Sequence, residues 1–171
     1  VDKELRSKMG AAAIKIASLL KYESAGTVEF LFDETTKEFW FLEVNTRLQV
    51  EHPVTEEVTG IDLVREQLKI ANGEPLDFSQ EDIEWFGSSI EVRLYSEDPG
   101  NNFLPVTGKL IAFEPTEDPL VRWDTGVETG SEITPNFDPM LAKIISYGET
   151  RVEAANKLAL ALENSHFGGL K

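Results

Sequence analysis

The chain of 171 residues contains no cysteine. That excludes disulfides, thiolate zinc sites and cysteine nucleophiles, and it fits a reducing compartment. Histidine is scarce, with only His52 and His166, and the only methionines are Met9 and Met140. Positive charge is also in short supply. Sixteen Lys and Arg stand against 31 Asp and Glu, for a formal net charge of −15. Long-range attraction to nucleic acid or to an anionic membrane surface is therefore not expected. An anionic substrate would need local arginine and lysine, or bound cations. No apolar run reaches the roughly 18 residues of a transmembrane helix, and the charged opening Val1–Arg6 carries no secretory signal. There is no Gly-rich phosphate loop. Without a starting methionine, the chain is expected to be a piece of a longer polypeptide.

What is present is a mixture of helical and strand periodicities. Leu5, Met9, Ala12, Ala13, Ile16, Leu19 and Leu20 recur at helical spacing around an Ala-rich centre, predicting a helix over residues 4–21. Thr27–Val44 predicts a β-hairpin turned by the polar run Asp33–Lys37. Asp62 is placed to cap a helix that Gly73 stops. Gly73, Pro75 and several acids over 73–86 mark a subdomain boundary. Beyond it, strands are expected at Ser88–Tyr95, near Lys109–Phe113, at Val121–Asp124 and at Leu141–Tyr147. Thr150 with Glu153 forms a capping-box pattern. It opens a helix whose inner face is expected to carry Val152, Ala155, Leu158, Ala159 and Leu162.

The hairpin concentrates chemistry on one face. Even positions Val28, Phe30, Phe32, Trp40, Leu42 and Val44 are apolar, so that face should pack on a core. The odd face carries Glu29 and Leu31, then Phe41, Glu43 and Asn45. With the turn centred on Thr36, Glu29 lies opposite Glu43, their Cβ atoms about 5 Å apart. A hard divalent cation between them would reverse the repulsion, and Mg²⁺ or Mn²⁺ suits carboxylate and amide oxygens. Two unrelated acids on a solvated strand face are the alternative.

The odd stripe continues as Glu43, Asn45, Arg47, Gln49 and Glu51 if the segment stays extended. Arg47 can hold a small planar oxyanion bidentately, and Glu51 can move a proton. A run of surface polar residues with partners elsewhere is the competing reading. Alternation turns His52 away from Glu51, which suggests a structural role. Asp138, between Phe137 and Pro139, either orients Arg93 or forms a turn.

The segment Phe41-Leu42-Glu43-Val44-Asn45-Thr46-Arg47-Leu48-Gln49-Val50-Glu51-His52-Pro53-Val54-Thr55-Glu56 resembles the biotin carboxylase signature almost residue for residue. Flanking Gly26–Phe30 and Thr59–Val64 agree with it, as do Glu91–Tyr95, Glu97–Pro99, Phe103–Pro105 and Asp138–Lys143. The resemblance implies an α+β fold: the C-terminal half of an ATP-grasp domain over 1–76, then a biotin carboxylase C-terminal domain over 86–171, truncated at its end. It implies an ATP-dependent ligase that makes carboxyphosphate from ATP and bicarbonate and carboxylates N1 of biotin. Glu29, Glu43 and Asn45 would then serve the metal ions, Mg²⁺ or Mn²⁺. Leu31 and Glu43 would serve the nucleotide. Arg47, Gln49 and the Val50 backbone would hold bicarbonate, Glu51 would be the base, and Arg93 would stabilise the biotin enolate.

Biotin would arrive on a separate carrier, because no Ala-Met-Lys-Met attachment motif occurs. A carboxyltransferase, the N-terminal half of the enzyme and a homodimer or larger complex complete the expected partners, with no nucleic acid and no membrane. The expected location is the cytoplasm, or the mitochondrial matrix in a eukaryote. The segments Ser96–Pro105 and Lys21–Phe30 lean toward acyl-CoA and urea carboxylases respectively. Other ATP-grasp ligases of the carbamoyl-phosphate or carboxylate–amine type share a Glu-x-Asn-x-Arg core, but they do not continue Leu-Gln-Val-Glu-His. A non-catalytic structural or dimerisation fragment is the remaining alternative, and the isolated chain is expected to be inactive because a phosphate grip is absent.

Overall fold

A computed structural model describes residues 1–170. The chain forms two compact units, one made of Val1–His52 with Asp62–Ile83, the other of Pro53–Ile61 with the chain from Glu84 onward.

In the first unit, helix α1 (Lys3–Leu20) starts where Asp2 Oδ1 accepts the Leu5 N–H at 2.8 Å, satisfying a donor that the helix itself cannot. It ends as Lys21 enters the left-handed region at φ 48°, and the Tyr22 N–H bonds back to the Ala17 carbonyl at 2.9 Å. Strands β1 (Thr27–Phe32) and β2 (Phe39–Asn45) form the predicted antiparallel hairpin. Asp33 shapes its turn by accepting the N–H groups of Thr35 (2.7 Å) and Thr36 (3.2 Å). The same two bonds hold the Asp33 carboxyl below its ordinary range.

The hairpin register departs from simple alternation at one point. Glu29 pairs with Glu43 as parity predicts, but a bulge follows, and the next pairs are Phe30 with Phe41, Leu31 with Trp40, and Phe32 with Phe39. The extra residue in β2 moves one whole side-chain set to the other face. Phe41 and Phe39 therefore join Val28, Phe30 and Phe32, where Phe30 and Phe39 meet edge to face at 5.2 Å. Trp40 moves to the carboxylate face beside Leu31. This corrects the strict odd–even assignment.

After β2 the chain does not stay extended. It turns at Val50 and Glu51 into helix α2 (His52–Thr59), which sequence patterning had not revealed. Pro53 in the first turn and Gly60 just past the end, at φ 72°, are the start and stop signals for it. Helix α3 (Leu63–Ala71) returns to the first unit with Asp62 capping the Arg65 N–H at 2.8 Å.

The second unit is built on an antiparallel sheet of order β3-β10-β8, where β3 is Ser88–Tyr95, β8 is Val121–Thr125 and β10 is Met140–Gly148. Short ribbons flank it: β4 (Glu97–Asp98) with β5 (Leu104–Pro105), β6 (Gly108–Lys109) with β9 (Glu132–Ile133), and β7 (Ala112–Glu114) with β11 (His166–Gly168).

Helix α4 (Arg151–Glu163) covers one sheet face. Its Leu158 and Ala161 pack with Ile144 and Val121, bordered by Ile90, Val92, Leu94 and Trp123. Thr150 caps the Glu153 N–H as predicted, but the Glu153 carboxylate accepts from the Glu149 N–H instead of closing a reciprocal box. The buried face of α4 is Ala154, Leu158 and Ala161, whereas Val152 is 70% exposed. This too differs from the expected face. Two alanines let α4 approach β10 closely enough for the buried Ser146 hydroxyl to donate to the Ala154 carbonyl at 2.8 Å. At the β10–α4 corner, a Cβ on Gly148 would sit 2.7 Å from the Ala154 nitrogen, so only glycine fits.

Two of the three leucines of α4 test this face. Leu158→Ala removes a side chain 5% exposed and is expected to cost about 2–5 kcal/mol. Leu160, 57% exposed, should cost under about 1 kcal/mol when truncated. Urea unfolding of both variants measures the difference, and equal losses would contradict the packing.

Candidate active site

The first unit brings four of the predicted side chains into a closed ring. Asn45 Nδ2 donates to Glu29 Oε1 at 2.7 Å and to Glu43 Oε1 at 3.3 Å. Asn45 Oδ1 accepts from Arg47 Nη2 at 3.4 Å. Arg47 Nη1 donates to Gln49 Oε1 at 2.8 Å, and Gln49 Nε2 returns to Glu29 Oε1 at 3.4 Å. Every bond in the ring pairs a donor with an acceptor, so each side chain fixes the next.

The strand pairing explains half of this ring. Glu29 and Glu43 are cross-strand partners, and Asn45 follows two residues on, on the same face. The other half comes from the turn. Because the chain curls after Asn45, Arg47 and Gln49 fold back onto Glu29 rather than running away along an extended stripe. The stripe expected over Glu43–Glu51 is therefore replaced by a compact cluster made of the same residues.

His52 secures the curl. Its Nδ1 lies 2.8 Å from the Gln49 carbonyl oxygen, and its backbone N–H reaches the same oxygen at 3.2 Å. A carbonyl can only accept, so Nδ1 carries the proton. This is the structural role expected for His52. Val50 is half-buried and Glu51 exposed in the turn that begins α2. Leu31, 62% exposed, and Trp40 extend the carboxylate face toward the hairpin tip.

The donor set suits a hard cation that takes its other ligands from elsewhere. Two carboxylates share one amide, and among the described residues no cluster of three or more His, Cys, Asp or Glu forms an all-protein metal cage. Magnesium commonly binds this way, through one or two carboxylates plus phosphate and water oxygens. As the ring stands, Asn45 turns its N–H toward the carboxylates and its oxygen toward Arg47.

Arg93, on β3 in the second unit, is 39% exposed in its side chain and has its Nε 4.0 Å from Glu91 Oε1. Asp138 Oδ1 accepts the Met140 N–H at 2.8 Å, which makes it a turn former.

Sequence reasoning missed an ion network in the second unit. Arg122 clasps Asp124 through Nε (2.8 Å) and Nη2 (3.0 Å) and reaches the buried Glu56 carboxylate through Nη1 at 2.8 Å. Lys143 joins Asp124 at 3.3 Å. Bonding to Asp124, and then to Glu56, raises the Arg122 pKa despite partial burial. Burial alone would raise the Asp124 pKa, but Arg122 and then Lys143 outweigh it and leave it lowered. The alternation Arg122–x–Asp124 on a strand was the available signal.

Residues 1–79 match the family model of the carbamoyl-phosphate synthase L chain ATP binding domain. Residues 91–171 match that of the biotin carboxylase C-terminal domain. The class is thus an ATP-binding domain of the carbamoyl-phosphate synthase type followed by a biotin carboxylase-type C-terminal domain.

Biotin carboxylase 2 of Bacillus subtilis is 51% identical over the whole chain, and the chain spans 38% of its length. The mitochondrial propionyl-CoA carboxylase alpha chain of Homo sapiens is 51% identical over 96% of the chain, which covers 23% of that protein. The biotin carboxylase domain dimer of Hydrogenobacter thermophilus 2-oxoglutarate carboxylase, in complex with MgADP, ADP and bicarbonate, superposes with a TM-score of 0.93 at 40% identity. It is matched over all of this chain and 38% of its own. The urea amidolyase of K. lactis gives 0.91 at 47% identity over 99% of this chain and 10% of its own. Along its whole length the chain is similar to biotin carboxylases, of which it spans about two fifths.

The Asp124 environment carries a pH prediction. A carboxyl whose folded pKa lies below its unfolded value, about 3.9, contributes stability that is present above that value. This contribution is lost as pH falls through the folded pKa. Asp124→Asn removes it, so the variant should lose less stability than the wild type between about pH 5 and the acid limit. Thermal midpoints measured across that range test this, and parallel acid profiles would contradict it.

Proposed function

We propose that this chain supplies the bicarbonate- and cation-binding part of a biotin carboxylase, an enzyme that spends ATP and bicarbonate to carboxylate N1 of biotin. The observation that carries the reading is the closed ring of Glu29, Asn45, Arg47 and Gln49, beside Glu43. It holds an acidic, oxygen-rich half and a donor-rich half in contact, as a reaction between a metal-bound nucleotide and a small oxyanion requires.

In this reading Glu29 and Glu43, with Asn45, hold Mg²⁺ or Mn²⁺, which neutralises the phosphate charge of ATP when bound. Leu31 offers an apolar surface on the same face as Glu29 and Glu43, on the nucleotide side. Arg47 has N–H groups beyond those spent on the ring, and Gln49 is locked beside it. Together with the Val50 backbone they bind bicarbonate by donating to its oxygens in the plane of the anion.

Glu51 then takes the bicarbonate proton, and the bicarbonate oxygen attacks the terminal phosphorus of ATP, expelling ADP. The resulting carboxyphosphate releases CO₂ and phosphate. The phosphate so released takes the N1 proton of biotin, leaving negative charge on the ureido oxygen, which Arg93 stabilises. N1 then forms its bond to CO₂.

Several further elements follow from the same reading. Biotin comes on a carrier domain or protein, and a carboxyltransferase consumes the carboxybiotin. The rest of the biotin carboxylase completes the phosphate grip, in a homodimer or larger complex. The cytoplasm or the mitochondrial matrix is the proposed location. Among the described residues no helix is long and apolar enough to cross a membrane. A carbamoyl-phosphate-type ligase is the second reading, since the first family model carries that description. The match of residues 91–171 to the biotin carboxylase C-terminal domain favours biotin as acceptor.

Glu51→Gln in the complete enzyme tests the proposal. Glutamine keeps the shape and removes the base. Biotin carboxylation should fall about 10²–10⁴-fold while nucleotide affinity holds, because Glu29 and Glu43 are untouched. Unchanged carboxylation would remove Glu51 from the base role.

A further inference from the structure

On the sheet face opposite α4, charge runs across the strands of the second unit. Lys143, on the central strand β10, is in register with Arg93 of β3 on one side and with Asp124 of β8 on the other. Two residues along, Ile145 is flanked in the same way by Glu91 and Arg122. The Lys143 side chain is only 13% exposed, and its ammonium lies 3.3 Å from Asp124 Oδ2.

Lys143 is the second cation of a cluster in which Arg122 is shared among the carboxylates of Asp124, Glu56 and Glu57. Arg122 already holds both oxygens of Asp124, at 2.8 and 3.0 Å, and extends to Glu56. Burying a second cation beside Asp124, directly opposite the like-charged Arg93, carries a desolvation and repulsion cost. A neutral residue of the same length would avoid it but would leave the Asp124 carboxylate short of a cation, since Arg122 also serves Glu56 and Glu57.

That cost has a use if Arg93 must be kept away from Asp124. The two strands outside β10 stand about 10 Å apart, a span that an arginine and an aspartate can bridge between them. With a neutral residue at position 143, the Arg93 guanidinium could lie across β10 and pair with the Asp124 carboxylate. It would then be neutralised by a fixed internal anion and lost to any substrate oxygen. We propose that Lys143 is a positioning residue for Arg93: it occupies both the lane across β10 and the facing oxygen of Asp124, and so prevents this competing ion pair. The inference rests on the reading of Arg93 as the group that stabilises the biotin ureido oxygen.

Three variants of the complete enzyme test it. Lys143→Met keeps the length and removes the charge. It should lower kcat for biotin carboxylation about tenfold or more while MgADP affinity stays near wild type. Its crystal structure should show Arg93 on Asp124. Lys143→Arg restores a cation that can hold Asp124, and should recover activity to within about threefold of wild type. Lys143→Met combined with Asp124→Asn removes the competing anion and should recover it similarly, which a loss of packing at position 143 would not.

The proposal is overturned if Arg93 stays off Asp124 in Lys143→Met, if that variant carboxylates biotin at the wild-type rate, or if neither rescue works. Arg93→Ala, assayed alongside, reports on the underlying reading. A wild-type rate there removes the role of Arg93, whatever the Lys143→Met structure shows.

Discussion

Two carboxylates directly opposite each other on an antiparallel pair repel, and the rest of the first unit's site is arranged around that repulsion. The hairpin register places Glu29 against Glu43. The Asn45 amide then bridges them with both of its bonds to carboxylate oxygen. Arg47 and Gln49 complete a circuit back to Glu29, so the positive end of the ring is held against the negative end. Such an arrangement is poised: the acids are close enough to share a cation, and the guanidinium is fixed with donors to spare.

Much of this was legible in the residues because strand parity is a strong constraint. Centring the turn on Thr36 sets Glu29 against Glu43, whereas the pairs nearest the tip are centred between Thr35 and Thr36, and the bulge brings Glu43 back opposite Glu29. Parity fails where the backbone takes an extra residue, and nothing in the run Phe39–Glu43 marks the bulge. Both candidate positions are large and apolar, so Trp40 and Phe41 could exchange faces without breaking the pattern. The curl after Asn45 was hidden for a related reason. Alternating polar residues fit an extended strand, whereas the bond from His52 to the Gln49 carbonyl that bends the chain is a local turn contact that alternation does not reveal. Pro53 and Gly60 were the visible marks of α2, and they bracket it closely.

The second unit shows what single-strand patterning cannot reach. Strand β3 was identifiable at its full length, and the helix after Thr150 by its cap. The choice of which α4 face turns inward depended on how close a helix can come to β10. Ala154 and Ala161 decided that, against the larger Val152 and Leu162. The row Arg93–Lys143–Asp124 draws on three strands that are distant in sequence. Its logic appears only when the register is known, and it sets Arg93 in line with an ion network anchored on the buried Glu56 of α2.

The central claim is that Glu29 and Glu43 together hold a divalent cation that accompanies the nucleotide. Electron paramagnetic resonance of Mn²⁺ with ADP and the complete enzyme addresses it directly. Bound Mn²⁺ should be present for the wild type and lost, or weakened by at least about tenfold, when either Glu29 or Glu43 is changed to glutamine. Wild-type Mn²⁺ affinity in both variants would contradict the account.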